Sequence, residues 1–363
     1  MQDKLSIIGA GPAGFALAAD LQSQGKSVLV YSHPEHLHHA AAVSDKGFLT
    51  INGAIESFMK LKITSDMAEA VSFSKIIILT VPSTGQETVL QELKKFNLRR
   101  HTIIAIPGNL FSLIASAELE AECFLETNLS PYSCRMDGGS LVVMGTKSRI
   151  LIAALHRPLT RSFCQRIQNI FPMELKWCSS VIEVCLSNIN GVFHPLMMLM
   201  NAGRIESTGG DFFLYRDGLT RSVANAMEAV DEVRIKTGAA LGLRLQRALD
   251  VSNECYSHDF TDLVELARKS QPHRRLKAPA NIENRNVSED VPDLLVCWNS
   301  LAEKLGIDGS AIKAVIVLAE MATGKDYLES GRNLKRLKLD GLSRSELIAK
   351  FNPYSGQRIE SRL

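Results

Sequence analysis

Over the first half of the chain, short and nearly continuous apolar runs alternate with segments of helical spacing. The runs are Leu5–Ile8, Ser27–Tyr31, Ile76–Val81, Thr102–Ile106, Leu141–Met144 and Ile150–Leu155. Such runs read as strands buried on both faces, the pattern of a parallel sheet covered by helices. Between the first two lies Ala13–Gln24, apolar at helical spacing. Ser65, Asp66 and Glu69 mark another helix start, a cap followed by an early acid that suits the positive end of the helix dipole. From about Cys185 the pattern changes: Val223–Ala240, Leu294–Leu305, Ala311–Met321 and Arg344–Lys350 keep the helical period, and β-rich runs become scarce. This predicts an α/β domain over residues 1–183 and a mostly α-helical domain over 184–363. The stretch Ser270–Glu289 reads as a long loop, and long loops in compact domains are often functional.

Composition narrows the class. A chain of 363 residues exceeds what one hydrophobic core usually serves, which agrees with two domains. A net charge of +2 and no Lys/Arg block argue against nucleic acid as a partner. The basic cluster His273-Arg274-Arg275-Leu276-Lys277 reads as a solvated loop or as a neighbour of an anion. Seven scattered cysteines without a CxxC pair fit reduced thiols and a cytoplasmic protein. The N-terminus has no basic leader, and no apolar run approaches the ~20 residues that span a bilayer, so no membrane is expected. The apolar helical half leaves room for a homodimer or a monomer.

The first strand ends in Gly9-Ala10-Gly11-Pro12-Ala13-Gly14, which opens the first helix. Each glycine has its own physical reason in a dinucleotide-binding turn. Gly9 permits the bend, Gly11 lets backbone approach a pyrophosphate, and Gly14 lets helix and strand pack closely. Pro12 and Ala13 start a helix whose N-terminus faces the phosphates. The strand–turn–helix–strand context makes this a Rossmann domain that holds a nicotinamide dinucleotide. An acid at the end of the second strand would bind the ribose 2′-hydroxyl of NAD or FAD. Here the strand ends Tyr31-Ser32-His33, without a carboxylate, and Ser32 and His33 suit a 2′-phosphate. NADP(H) is therefore expected over NAD(H), and FAD is disfavoured. The histidines His33, His36, His38 and His39 show no spacing that defends a metal site. Thr80-Val81-Pro82-Ser83 and Ile106-Pro107-Gly108-Asn109 follow two further strands, on the ligand-binding edge of such a sheet. Val81, Pro82 and Asn109 would there border the nicotinamide ribose, or the segments are plain turns.

In the second half, Asn188-Ile189-Asn190-Gly191-Val192-Phe193-His194-Pro195 suggests an element start that presents a polar side chain at its edge. Taken alone, His194 is more often a satisfied structural histidine. Arg285-Asn286-Val287-Ser288-Glu289-Asp290-Val291-Pro292 reads as a site segment or as a cap leading into Leu294–Leu305, and composition does not pair Asp290 with His194.

Taken together, the motifs resemble the opine dehydrogenase family, that of octopine and nopaline dehydrogenases. The resemblance runs over nearly the whole chain: GAGPAG at 9–14, TVPS at 80–83, IPGN at 106–109, ETNLSPYSCR at 126–135, NINGVFHP at 188–195, FFLYRDG at 212–218, KAP at 277–279 and RNVSEDVP at 285–292. It implies a Rossmann domain, a helical domain and an active site in the cleft between them. It also implies NAD(P)H-dependent reductive condensation of an amino acid with a 2-oxo acid, giving a secondary amine that bears two carboxylates. By position, His194 would be the general acid/base, Asp290 its orienting carboxylate, and Arg285 a clamp on a substrate carboxylate. Asn190 would support the substrate or the nicotinamide region, Glu126, Tyr132 and Cys134 fall where family members contact the amino-acid partner, and Phe212, Phe213 and Tyr215 would wall the pocket or form core. Asp293 departs from the neutral residue the family typically has there. Two rivals stand beside this reading: a ketopantoate-reductase-like enzyme, whose class relies on a lysine in the helical domain that NINGVFHP lacks, and a regulator that binds the nucleotide without turnover.

Overall fold

The computed structural model describes residues 4–156 and 159–352. The chain divides into two compact units, Met1–Val181 and Ile182–Leu363. Within the first, the elements in order are β1 (Lys4–Ile8), α1 (Pro12–Ser23), β2 (Ser27–Tyr31), α2 (His38–Lys46), β3 (Leu49–Gly53), β4 (Ser57–Met59), β5 (Lys62–Thr64), α3 (Met67–Phe73), β6 (Ile76–Leu79), α4 (Ser83–Leu93), β7 (Leu98–Ala105), α5 (Phe111–Ala115), β8 (Ala121–Thr127), β9 (Tyr132–Asp137), β10 (Ser140–Thr146), β11 (Arg149–Ala154), α6 (Arg161–Gln168) and β12 (Glu174–Trp177).

Eight strands form one sheet in the order β12-β11-β8-β7-β6-β1-β2-β5. From β5 to β8 all neighbours are parallel, and β1, β2, β6 and the later part of β7, residues 101–105, are almost entirely buried, as in a sheet covered on both faces. Two expectations are corrected here. Ile150–Leu155 forms β11, which lies antiparallel to β8 rather than parallel. Leu141–Met144 forms β10 in a separate four-stranded sheet, order β4-β3-β10-β9, with burial that alternates along the strand because only one face meets the core. That sheet packs on α1, where the Tyr132 hydroxyl donates to Asp20 Oδ2 at 2.6 Å. The cap of α3 is Asp66, whose carboxylate accepts from the Ala68 N–H, while Ser65 lies outside the helix.

The second unit is helical: α7 (Val181–Leu186), α8 (Asn190–Leu199), α9 (Ala202–Thr208), α10 (Leu214–Gly218), α11 (Arg221–Ala240), α12 (Ala248–Tyr256), α13 (Leu263–Lys269), α14 (Arg285–Ser288), a π-helical turn (Val291–Leu295), α15 (Val296–Leu305), α16 (Ser310–Thr323), α17 (Tyr327–Ser330) and α18 (Arg344–Phe351). Its core includes α8, α11 and α15, and α11 carries a fully buried Arg234 that donates to Asp231, to the Leu186 carbonyl and to the Gln246 carbonyl. The segment Val181–Leu199 corrects the statement that no apolar run approaches membrane-spanning length. It has 19 residues with mean hydropathy 1.2, enough by length and composition, and 83% of its most apolar stretch is buried inside the fold. Within Ser270–Glu289, residues 285–288 are helical and Lys277 forms an isolated bridge with Phe213, so that stretch is only partly loop.

Candidate active site

β1 and β6 are adjacent, and their C-terminal ends lie where the strand order of a doubly wound sheet reverses, the usual place for a ligand. Gly9 leaves β1 with φ +127°, and a Cβ there would meet Thr80 Oγ1 at 2.8 Å. A Cβ on Gly14 would lie 1.9 Å from the Gly9 carbonyl oxygen, so α1 approaches the turn as only glycine allows. A Cβ on Gly11 would meet nothing within 4 Å: the backbone there faces open space. Gly11 caps α1 without a side-chain hydrogen bond and Pro12 fills the first turn, so the helix start is left to a ligand's oxygens. These residues fit the pyrophosphate of a dinucleotide.

The neighbouring turns are braced to each other. Asn109, buried and at φ +52°, donates through Nδ2 to Ser83 Oγ at 2.8 Å, and Gln86 Nε2 donates to the Pro107 carbonyl at 3.0 Å. Val81 is half-buried and Pro82 exposed on the same edge. At the end of β2, the Ser32 hydroxyl is buried and donates to the His36 carbonyl at 3.1 Å, so its proton is engaged within the chain. His33 accepts the Glu35 N–H on Nδ1 at 3.2 Å, which leaves Nε2 as the protonated, donating nitrogen of the neutral ring.

Glu126, Tyr132 and Cys134 have other work in this structure. Glu126 is fully buried at the end of β8; one carboxylate oxygen accepts the Leu110 N–H at 2.9 Å, the other the Ser112 N–H at 2.7 Å and the Ser112 hydroxyl. Tyr132 is buried against Asp20, and burial with that neighbouring charge pushes its phenol far above the ordinary range. Cys134 packs, half-buried, against the hydrophobic core.

In the helical unit, His194 and Asp290 come together from 96 residues apart: His194 Nδ1 lies 2.6 Å from Asp290 Oδ2. His194 stands inside α8 with Pro195 after it, not at an element start as its neighbours suggested. Its side chain is 25% exposed while that of Asp290 is 7% exposed, so the carboxylate is the hidden partner and the ring keeps access. Burial pushes the Asp290 carboxyl up, against the pull of the His194 charge and hydrogen bond. Asp290 forms no side-chain cap on the turn that follows, and the capping reading of Ser288-Glu289-Asp290 fails; Asn284 caps α14 instead. Arg285, 60% exposed, reaches one turn onward to the buried Glu289, with Nε at 3.0 Å and Nη2 at 2.9 Å from the same oxygen. Glu289 was missed as a site residue, although Arg and Glu four apart on a helix signal such a pair. Asn190 begins α8, half-buried, its N–H donating to Asn188 Oδ1 at 3.2 Å. Phe193 and Tyr215 rings lie 6.3 Å apart, and Phe212 and Tyr215 are buried as core.

A glycine turn at the switch point of a doubly wound sheet, with an imidazole–carboxylate pair in a separate helical unit, defines a two-domain NAD(P)-dependent dehydrogenase. Residues 4–108 match the N-terminus of NAD-dependent glycerol-3-phosphate dehydrogenase, and residues 177–323 match the alpha-helical domain of NAD/NADP octopine/nopaline dehydrogenase. The chain is 27% identical to vitopine synthase of Allorhizobium ampelinum over 358 residues, covering 96% of this chain and 99% of that one. Octopine dehydrogenase, solved with NADH and L-arginine, superposes with a TM-score of 0.74 at 18% identity over 97% of this chain and 98% of its own. Yersinopine dehydrogenase bound to NADP+ does so at 0.67 and 15% identity, over 97% and 98%. The chain belongs to the opine dehydrogenase family, NAD(P)-dependent oxidoreductases that act on CH–NH donors.

Proposed function

We propose that this enzyme joins the amino group of an amino acid to a 2-oxo acid and reduces the resulting imine, and that His194 and Asp290 are its acid/base pair. The observation that carries the assignment is the 2.6 Å contact between them. Asp290 holds the Nδ1–H of the ring and thereby leaves Nε2 to exchange protons with substrate. As the amine adds to the carbonyl carbon, a C–N bond forms and the oxygen takes a proton. Loss of that oxygen as water needs a second proton, and His194 Nε2 supplies and recovers these protons in turn. The nicotinamide, when bound, supplies the hydride that reduces the imine carbon.

Arg285, steadied by Glu289, pairs with a substrate carboxylate, and Asn190 supports the substrate beside His194. Glu126 and Tyr132 are left out of the substrate site because their polar atoms are engaged within the fold. NADP(H) is the favoured cofactor: the end of β2 lacks a carboxylate, and His33 offers a ring N–H to a 2′-phosphate. A homodimer is supported by α16, where Val317, Leu318 and Met321 stand exposed. None of the seven cysteines is in a disulfide, which agrees with a reducing cytoplasm.

The reading is tested by NADPH oxidation with pyruvate alone, and with pyruvate plus each of a panel of amino acids. Consumption that requires both substrates is expected; equal consumption with the oxo acid alone would identify a simple reductase. The ketopantoate-reductase-like alternative is not favoured, since the relatives matched along the whole chain include opine synthases.

A further inference from the structure

We propose that Asp293 and Arg332 form a buried ion pair that positions Asp290, by fixing the π-helical turn on which that carboxylate stands. The inference rests on the acid/base role given above to His194 and Asp290. Asp290 immediately precedes the turn Val291–Leu295, whose wide closure is the Val296 N–H donating to the Val291 carbonyl. Turns of this kind are rare and often lie at functional sites. Pro292, inside it, has no N–H to offer the helix ladder. The turn is held from outside its own helix instead. The Arg332 N–H donates to the Pro292 carbonyl at 2.8 Å, and Arg332 Nε lies 3.3 Å from Asp293 Oδ1. Gly331 packs so closely that a Cβ there would lie 2.6 Å from the Pro292 oxygen. Side-chain exposure is 1% for Arg332 and 9% for Asp293.

A buried ion pair is poor value for stability, since well-packed apolar residues serve as well. One spent three residues beyond the carboxylate that holds His194 is explained by geometry. The charged groups facing Asp293 are Arg332 and Arg336 from the segment after α17, with Glu289 and Asp290 on its own segment. Those facing Asp290 are His194 from α8 and Tyr215 from α10, with Arg285, Glu289 and Asp293 on its own side. Burial raises the Asp293 carboxyl to about 6, so the pair is made at neutral pH and undone in acid.

The test compares wild type, Asp293→Asn, Arg332→Lys, Arg332→Met and the double variant Asp293→Asn with Arg332→Met. Two quantities are read: the pH profile of kcat, and the titration of His194 followed by the nitrogen resonances of its ring. NADPH affinity and far-UV circular dichroism confirm that each variant folds. Asp293→Asn should lower kcat about tenfold at unchanged KM for NADPH, and should change how the ring nitrogens of His194 respond to pH. Arg332→Lys should recover part of the turnover that Arg332→Met loses. The double variant should stay as slow as Asp293→Asn, because the anchor is gone although the charges balance. Full turnover in the double variant, or a His194 titration unmoved by Asp293→Asn, would overturn the proposal. The titration is independent of turnover: if it moves in a protein that oxidises NADPH with no substrate pair, the coupling stands and the chemical reading fails.

Discussion

Single residues carry the cofactor claim. Gly14→Ala would force a methyl group against the Gly9 carbonyl, where the gap is 1.9 Å. The helix must then move off the turn, and NADPH affinity should fall more than about tenfold, or 1.4 kcal/mol, by fluorescence titration; unchanged affinity would show that the close approach is not needed. Arg285→Lys should raise KM for the oxo acid strongly with kcat nearly kept, because an ammonium replaces a bidentate fork with a point charge. A KM within about twofold of wild type would remove Arg285 from carboxylate binding. The glycine turn was legible in the sequence because each glycine there answers a local steric demand. Glu126 was not: its partners are backbone N–H groups of Leu110 and Ser112, 16 and 14 residues away, and nothing in its own neighbourhood signals them.

Elements explain which side chains are structural. The Tyr132 hydroxyl ties β9 to α1 through Asp20. Tyr132→Phe should therefore destabilise the protein by about 1.5–3 kcal/mol, the range for a hydrogen bond to a charged group, and leave kcat and both KM values alone. Thermal unfolding and kinetics on one preparation check this; a raised KM for the amino acid with unchanged stability would return Tyr132 to the substrate site. The second sheet was not read from the sequence, although one signal was present. Gly138 and Gly139 both have positive φ, +53° and +78°, and a turn of two such residues joins β9 to β10. Asp137-Gly138-Gly139-Ser140 is thus a hairpin signal. Apart from Leu141–Met144, the runs that were read belong to the large sheet; the half-exposed strands β9 and β12 alternate and carry polar residues, which hides them. The π-helical turn has no sequence signal beyond Pro292, because what holds it lies about 40 residues later at Arg332.

At the scale of the molecule, two periods in the hydrophobic pattern were enough to separate an α/β unit from a helical one. The pairing of His194 with Asp290 was not legible from either segment, because it depends on how α8 packs beside α14 and the turn after it. The buried acids also set a pH dependence of stability. Asp293 has a folded pKa raised to about 6, above the unfolded carboxyl value, chiefly by burial. The folded state therefore binds the extra proton, and the stability that this adds is fully present below about pH 4 and lost as pH rises through about 6. A shift of about two pH units corresponds to about 3 kcal/mol. Asp293→Asn lacks this titration, so its stability relative to wild type should rise between pH 4 and pH 7 by up to that amount. Urea unfolding at both pH values measures it; a difference that stays constant would mean that Asp293 titrates as an ordinary surface acid.

The account stands on His194 as the proton-transferring group held by Asp290, and its most direct test is kcat of His194→Ala measured beside its NADPH dissociation constant. Turnover should fall by about 10²–10⁴-fold, the usual contribution of a positioned acid/base, while cofactor affinity stays within about twofold. Turnover near that of the wild type, with the cofactor still bound, would contradict it.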